Sequence, residues 1–159
     1  MTRMRPGLAT AAILCLTTLI ATPASSSPKK GFVADIEALT KSNDDFRHVL
    51  YTGKKLQLVL MAIAPGQDIG AEVHENVDQF FRVEQGKGEV RIDGVASPIK
   101  GGDAFIVPAG ARHNVVNSGS EPLRVYTIYA PPEHRDGIVR ATKADAGATR
   151  EHFDGKTTE

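Results

Sequence analysis

The stretch from Gly102 to Asn117 constrains this chain more than any other. It reads G-x5-P-x-G-x2-H-x3-N, with Pro108, Gly110 and His113 at its centre. Ala104-Phe105-Ile106-Val107 has the length and apolar character of a short strand. Pro108-Ala109-Gly110 then forces a turn, and Asn114-Val115-Val116 begins a second strand. The surrounding chain has the same punctuation. Leu56 to Ile63 is an apolar run stopped by Ala64-Pro65-Gly66. Gln79 to Glu84 is bounded by Gly86 and Gly88. Glu89 to Ile92 alternates and is followed by Asp93-Gly94, a hairpin turn signal. Leu123 to Tyr129 is a further strand. Short strands between Gly, Pro, Asp and Asn turns, without βαβ alternation, predict an all-β sandwich or barrel.

Two side chains upstream stand out for their chemistry. Glu72 and His74 are two apart, so on a strand they share a face. A carboxylate and an imidazole converging inside a barrel need a partner, because an unpaired buried charge is costly. A divalent cation is such a partner. His113, just after the Pro108 turn, is placed to bring a second imidazole from the other half of the chain.

The Gly102 to Asn117 stretch resembles the second motif of the cupin family and agrees with it at every fixed position. Gly66 to Gly86 resembles the first motif, G-x5-H-x-H-x3,4-E-x6-G, with two departures. Glu72 stands where the first His belongs, and Gln79 where the Glu belongs. Asp78 and Gln79 both compete for that later slot. Counting back from Gly86, Gln79 leaves the six residues the motif requires and Asp78 leaves seven, so Gln79 takes the slot and Asp78 is read as a turn residue. The resemblance spans Leu56 to Ala130. It implies a cupin jelly roll, also called a double-stranded β-helix, around one divalent transition metal (Mn, Fe, Zn or Ni).

The implied ligands, which are also the catalytic candidates, are Glu72, His74, Gln79 and His113. Two His and one carboxylate match the composition of a non-haem iron facial triad, although the carboxylate sits in an unusual slot. Several cupin lyases, cyclases and isomerases carry Gln in the later slot. Proteins with this local sequence resemble small cupins labelled mannose-6-phosphate isomerase-like, whereas true phosphosugar isomerases are larger. Phe81, Val83, Phe105, Val107, Val115 and one of Tyr126 or Tyr129 are expected to line the site. That gives an apolar wall with no Arg or Lys cluster for a phosphate. His134 and His152 fall in a polar tail and are expected to face solvent. Asn117 is expected to bond backbone.

The N-terminus reads as a secretory signal. Arg3 and Arg5 precede an apolar Leu8 to Ile20 segment that is short for a membrane span, and Thr22-Pro23-Ala24 offers a small-residue cleavage site. The expected organisation is a signal peptide at 1–24, a disordered mature start at 25–31, a barrel at 32–131 and a C-terminal tail at 132–159. Ile36 to Tyr51 is expected to hold a short helix and then a strand from Phe46. The tail carries a marginal helical pattern. The full chain has 19 basic and 19 acidic residues, so no basic footprint for nucleic acid is present. The single Cys, Cys15, lies in the signal, which leaves the mature chain without a disulfide or a thiolate.

These readings predict an exported protein, periplasmic or secreted, that leaves the membrane after signal cleavage. Two function classes fit. One is a metal-dependent enzyme of dioxygenase, isomerase or lyase type acting on a small oxygen-bearing substrate. The other is a non-catalytic small-molecule or metal-binding module of the cell envelope. Small cupins commonly pair, and the apolar Phe32 to Leu39 segment lacks an evident core partner, so a homodimer is expected.

Overall fold

The computed structural model describes residues 31–149 and 151–159. The predicted signal, 1–24, and all but the last residue of the 25–31 segment lie outside them. Among the described residues, the chain runs through α1 (Ile36–Ser42), β1 (Arg47–Thr52), β2 (Gln57–Ile63), β3 (Asp78–Gln85), β4 (Lys87–Ile92), β5 (Val95–Lys100), β6 (Ala104–Val107), β7 (His113–Asn117), β8 (Leu123–Ala130), β9 (Val139–Arg140) and α2 (Lys143–Ala148).

The strands form two antiparallel sheets with orders β6-β3-β8-β2-β1-β9 and β5-β4-β7. The segment before β3 joins the smaller sheet through bridges of Asp68 to Val116 and Glu72 to His113. This is the jelly-roll arrangement, and period-2 burial drives it. In β8, Leu123, Val125, Thr127 and Tyr129 point inward and are buried, while Arg124, Tyr126 and Ile128 point outward. Strand β3 buries Gln79, Phe81 and Val83 in the same way. The core joins these to Val59, Met61, Ile63, Val107 and Val115.

The sequence-predicted strands and the short helix before β1 are all present. The strand β5 was not foreseen, because Pro98 reads as a strand breaker. It occurs at a sheet edge, paired on one side only, where a missing N–H costs no ladder bond. The tail also takes part in the fold. Val139 and Arg140 pair with His48 and Arg47, so a strand beyond residue 131 extends the larger sheet. Helix α2 starts at a capping box formed by Thr142 and Asp145.

The motif glycines have conformational reasons to be glycine. Gly66, Gly86, Gly102 and Gly110 all adopt positive φ. Gly86 is the most constrained of them. Its φ is +87°, and a Cβ there would lie 2.8 Å from the Pro122 carbonyl oxygen and 2.9 Å from Leu123 Cα. Asn117 does bond backbone. Its Nδ2 donates to the carbonyls of Ile63 and Glu121, both at 2.8 Å, and its Oδ1 accepts from Gly119 N. A Gly86→Ala variant therefore combines left-handed strain with a clash against backbone. It is expected to lose about 2 kcal/mol or more of stability, measured by urea unfolding.

Candidate metal centre

The site is built on one backbone pair. Glu72 N donates to His113 O, and His113 N donates to Glu72 O, both at 3.0 Å. Residues paired in this way project side chains from the same face. His74, in the irregular chain two residues beyond Glu72, turns its ring to the same point. The result is a tight cluster. One ligand atom from each of Glu72, His74 and His113 lies within 4.8 Å of the others. Glu72 Oε1 is 3.4 Å from His74 Nε2 and 3.5 Å from His113 Nε2.

Each imidazole is oriented from behind. His113 is 2 % exposed, and its Nδ1 sits 3.2 Å from the Ala111 carbonyl. A carbonyl only accepts, so the proton belongs on Nδ1 and the Nε2 lone pair faces the cluster. His74 Nδ1 lies 3.7 Å from Glu133 Oε1, which biases this ring the same way. The Nε2 atoms of both histidines are buried and have no hydrogen-bond partner among the described residues.

Gln79 is 1 % exposed and points into the barrel. It lies opposite Tyr129 on one side and Val107 on the other. Its Nε2 donates to Thr127 Oγ1 at 3.1 Å, which leaves Oε1 buried and unpartnered. Asp78 is exposed and accepts from Ala109 N at 2.9 Å, closing the Pro108 turn. The neighbouring pair thus divides as the count from Gly86 anticipates.

The wall around the cluster differs from the expected apolar lining. Phe81, Val83, Val107 and Val115 are buried in the core, and Phe105 stacks on Phe81 with ring centroids 4.7 Å apart. The cavity that reaches Glu72 and His74 has a volume of about 360 Å³ and a polar wall. Arg47, Glu133, His134 and Glu151 contribute to it. Arg47 Nη1 lies 3.5 Å from Glu151 Oε1, and Arg140 Nη2 donates to Glu151 Oε2 at 3.1 Å. Strand β1 and the tail bring these charges, and no local motif announces them.

His134 is a second correction. It does not face solvent but is 5 % exposed. The buried Gln57 amide holds its backbone at both ends. His134 N donates to Gln57 Oε1 at 2.9 Å, and Gln57 Nε2 donates to His134 O at 2.7 Å. Its ring meets Tyr129 edge-on, with centroids 5.0 Å apart. His152 is exposed as expected, although its Nδ1 is 3.3 Å from Glu133.

Comparison with known proteins agrees with this architecture. Residues 59–129 match the model of the cupin domain. The uncharacterized protein YrkC of Bacillus subtilis is 47 % identical over 128 residues, covering 77 % of this chain and 69 % of YrkC. The chain belongs to the cupin family. The uncharacterized protein L612 of Acanthamoeba polyphaga mimivirus is 31 % identical over 129 residues, covering 78 % of this cupin and 80 % of L612. A crystal structure of the Bacillus halodurans protein BH2720 has a TM-score of 0.74 and 45 % identity. It covers 76 % of this cupin and 96 % of that chain.

The residues present fit a divalent cation. Two unpartnered imidazole nitrogens and a carboxylate oxygen converge in a partly enclosed site, and this is the chemistry of a transition-metal donor set. The electrostatics agree. Burial opposes ionisation of Glu72, but the close imidazoles of His113 and His74 outweigh it and hold its pKa down at about 2. Burial likewise opposes charging of His74, and Glu72 outweighs it, so the His74 pKa is raised.

These shifts set a sign. Because the folded pKa of Glu72 lies below its unfolded value, the ionised carboxylate stabilises the metal-free fold above about pH 4.5. That contribution fades as pH falls toward 2. The stability difference between the metal-free wild type and Glu72→Gln is expected to shrink from pH 5 to pH 3, measured by urea unfolding. A difference independent of pH would contradict the assignment.

Proposed function

We propose that this cupin holds one divalent transition metal on Glu72, His74, Gln79 and His113 and is an enzyme acting on a small oxygen-bearing substrate. The observation that carries the reading is the pair of buried, unpartnered Nε2 atoms of His74 and His113 aimed at the Glu72 carboxylate. A bound metal would supply Lewis-acid polarisation of a substrate oxygen. The chain's own residues do the positioning. Ala111 O fixes the His113 tautomer, and Glu133 backs His74. Glu72 offsets positive charge. Gln79 would be a neutral oxygen donor and the weakest member of the set. Dioxygenase, isomerase and lyase chemistry all fit such a centre. A phosphosugar is disfavoured, since Arg47 in the pocket wall is already ion-paired to Glu151.

Metal analysis of purified protein tests the reading. Wild type is expected to carry close to one equivalent of manganese, iron, zinc or nickel. His74→Ala and His113→Ala are expected to lose it while remaining folded by circular dichroism. Glu133→Gln, which leaves every ligand in place, is expected to weaken metal affinity roughly tenfold or more. Wild-type protein that takes up none of these metals would refute the proposal.

We also infer export and pairing as a homodimer. The arginine-led apolar segment before Ala24 supports the first, and the exposure of Phe32 at 40 % and Val33 at 99 % supports the second. Intact-mass measurement is expected to find secreted or periplasmic protein shortened by about 24–26 residues, and light scattering to find twice the chain mass. Full-length protein confined to the cytoplasm, or a monomer at micromolar concentration, would overturn the respective inference.

A further inference from the structure

His134 lies outside the metal set, yet it is built like a site residue. It is nine-tenths buried, and both of its ring nitrogens lack a hydrogen-bond partner among the described residues. Buried polar atoms normally have partners, so an imidazole with neither nitrogen satisfied calls for one. It lines the same cavity as Glu72 and His74. The two Gln57 hydrogen bonds pin its backbone, and Tyr129 packs against its ring. The ring is held in place in the cavity wall.

Arg47 supplies a second unsatisfied group in that wall. Its guanidinium is paired with Glu151, but its Nε is buried and unpartnered. Burial, reinforced by the positive charge of Arg47, pushes the His134 pKa down to about 3, so the imidazole is neutral at physiological pH. A neutral imidazole offers one N–H donor and one acceptor nitrogen, and Arg47 Nε adds a donor. The wall that also holds Glu72 and His74 thus carries one unpartnered acceptor and two unpartnered donors. A purely apolar occupant would leave all three unsatisfied. A hydroxyl group satisfies the acceptor by donating to it, and carbonyl or carboxylate oxygens satisfy the donors. A cavity of about 360 Å³ is near the small end for ligand sites, which limits the occupant's size.

We propose that His134 is a ligand-contacting residue of this pocket and that the pocket takes a small hydroxylated carbonyl compound, either a hydroxy acid or a hydroxy ketone. The hydroxyl or carbonyl oxygen faces the Glu72, His74 and His113 cluster, and the opposite edge meets His134 and Arg47. This rests on the metal-centre reading and goes beyond it by naming a residue outside the metal set and a ligand class.

The test uses zinc-loaded full-length protein with glycolate and hydroxyacetone as probes, and with propionate and acetone as counterparts lacking the hydroxyl. Zinc content is measured first. Wild type that binds no zinc defeats the metal reading and this proposal with it. With zinc bound, calorimetry is expected to show one of the hydroxylated probes binding, and which one it is separates hydroxy acid from hydroxy ketone. His134→Phe is expected to keep zinc and to weaken that binding about tenfold, equivalent to roughly 1.4 kcal/mol. His134→Gln, which keeps a donor and an acceptor, is expected to stay within about threefold of wild type. Equal affinity across the three proteins would overturn the role of His134 while leaving the metal centre intact. Failure of both hydroxylated probes to bind would overturn the ligand class. If the variants do not fold, nitrogen NMR of the wild type decides. A shift of the His134 ring nitrogens on adding probe supports the contact, and unmoved resonances refute it.

Discussion

The reciprocal hydrogen bonds between Glu72 and His113 are the contact on which the site depends. They tie an irregular segment, before β3, to the first residue of β7, and so join two parts of the chain 41 residues apart. The pair fixes side-chain direction as well as proximity, because residues opposed in an antiparallel ladder project to one face. His74, in the irregular chain two residues on, brings its Nε2 to 3.4 Å from Glu72 Oε1. The imidazoles on either side of Glu72 keep its carboxylate ionised despite burial, and a cation between them would meet the same charge.

A second device holds the outer half of the site. Gln57 is buried in the larger sheet, where an unsatisfied amide would be expensive. It binds the backbone of His134 through both ends of its side chain and also donates to Thr52 Oγ1. The chain leaving β8 is therefore folded back over the cavity. Glu133 is brought behind His74, and His134 against Tyr129. Strand β9 continues this return, and Glu151 pairs with Arg47 and Arg140 beyond it. The tail gives the pocket most of its polar wall.

The inner half of the site was legible because its rules are local. A two-residue spacing brings Glu72 and His74 together, the Pro108 to Gly110 turn delivers His113, and the cupin motif's count back from Gly86 separates Gln79 from Asp78. Burial of Gln79 and exposure of Asp78 follow from the same alternation. The outer half was not legible. His134 lies among Pro, Glu, Arg and Asp, a composition that reads as solvated tail. Its burial comes from a side chain 77 residues away, and no periodicity carries that information. The expected apolar wall had a related cause. Inward-facing Phe81, Val83 and Val115 fill the barrel core, whereas the rim is set by which loops cross the opening.

Resemblance to the cupin motifs implied the jelly roll, while the sequence by itself determined most of the strands and turns, the all-β class and three side chains able to meet at one point. Those properties rest on period-2 alternation, glycine's tolerance of positive φ and proline's fixed φ, all of which act over a few residues. Tertiary structure alone decided that Glu133 backs His74, that Arg47 and Glu151 pair at the rim and that His134 is enclosed. These outcomes depend on contacts between residues far apart in the chain. Such contacts form only after the sheets have closed and the energy of satisfying buried polar groups selects where the remaining chain lies.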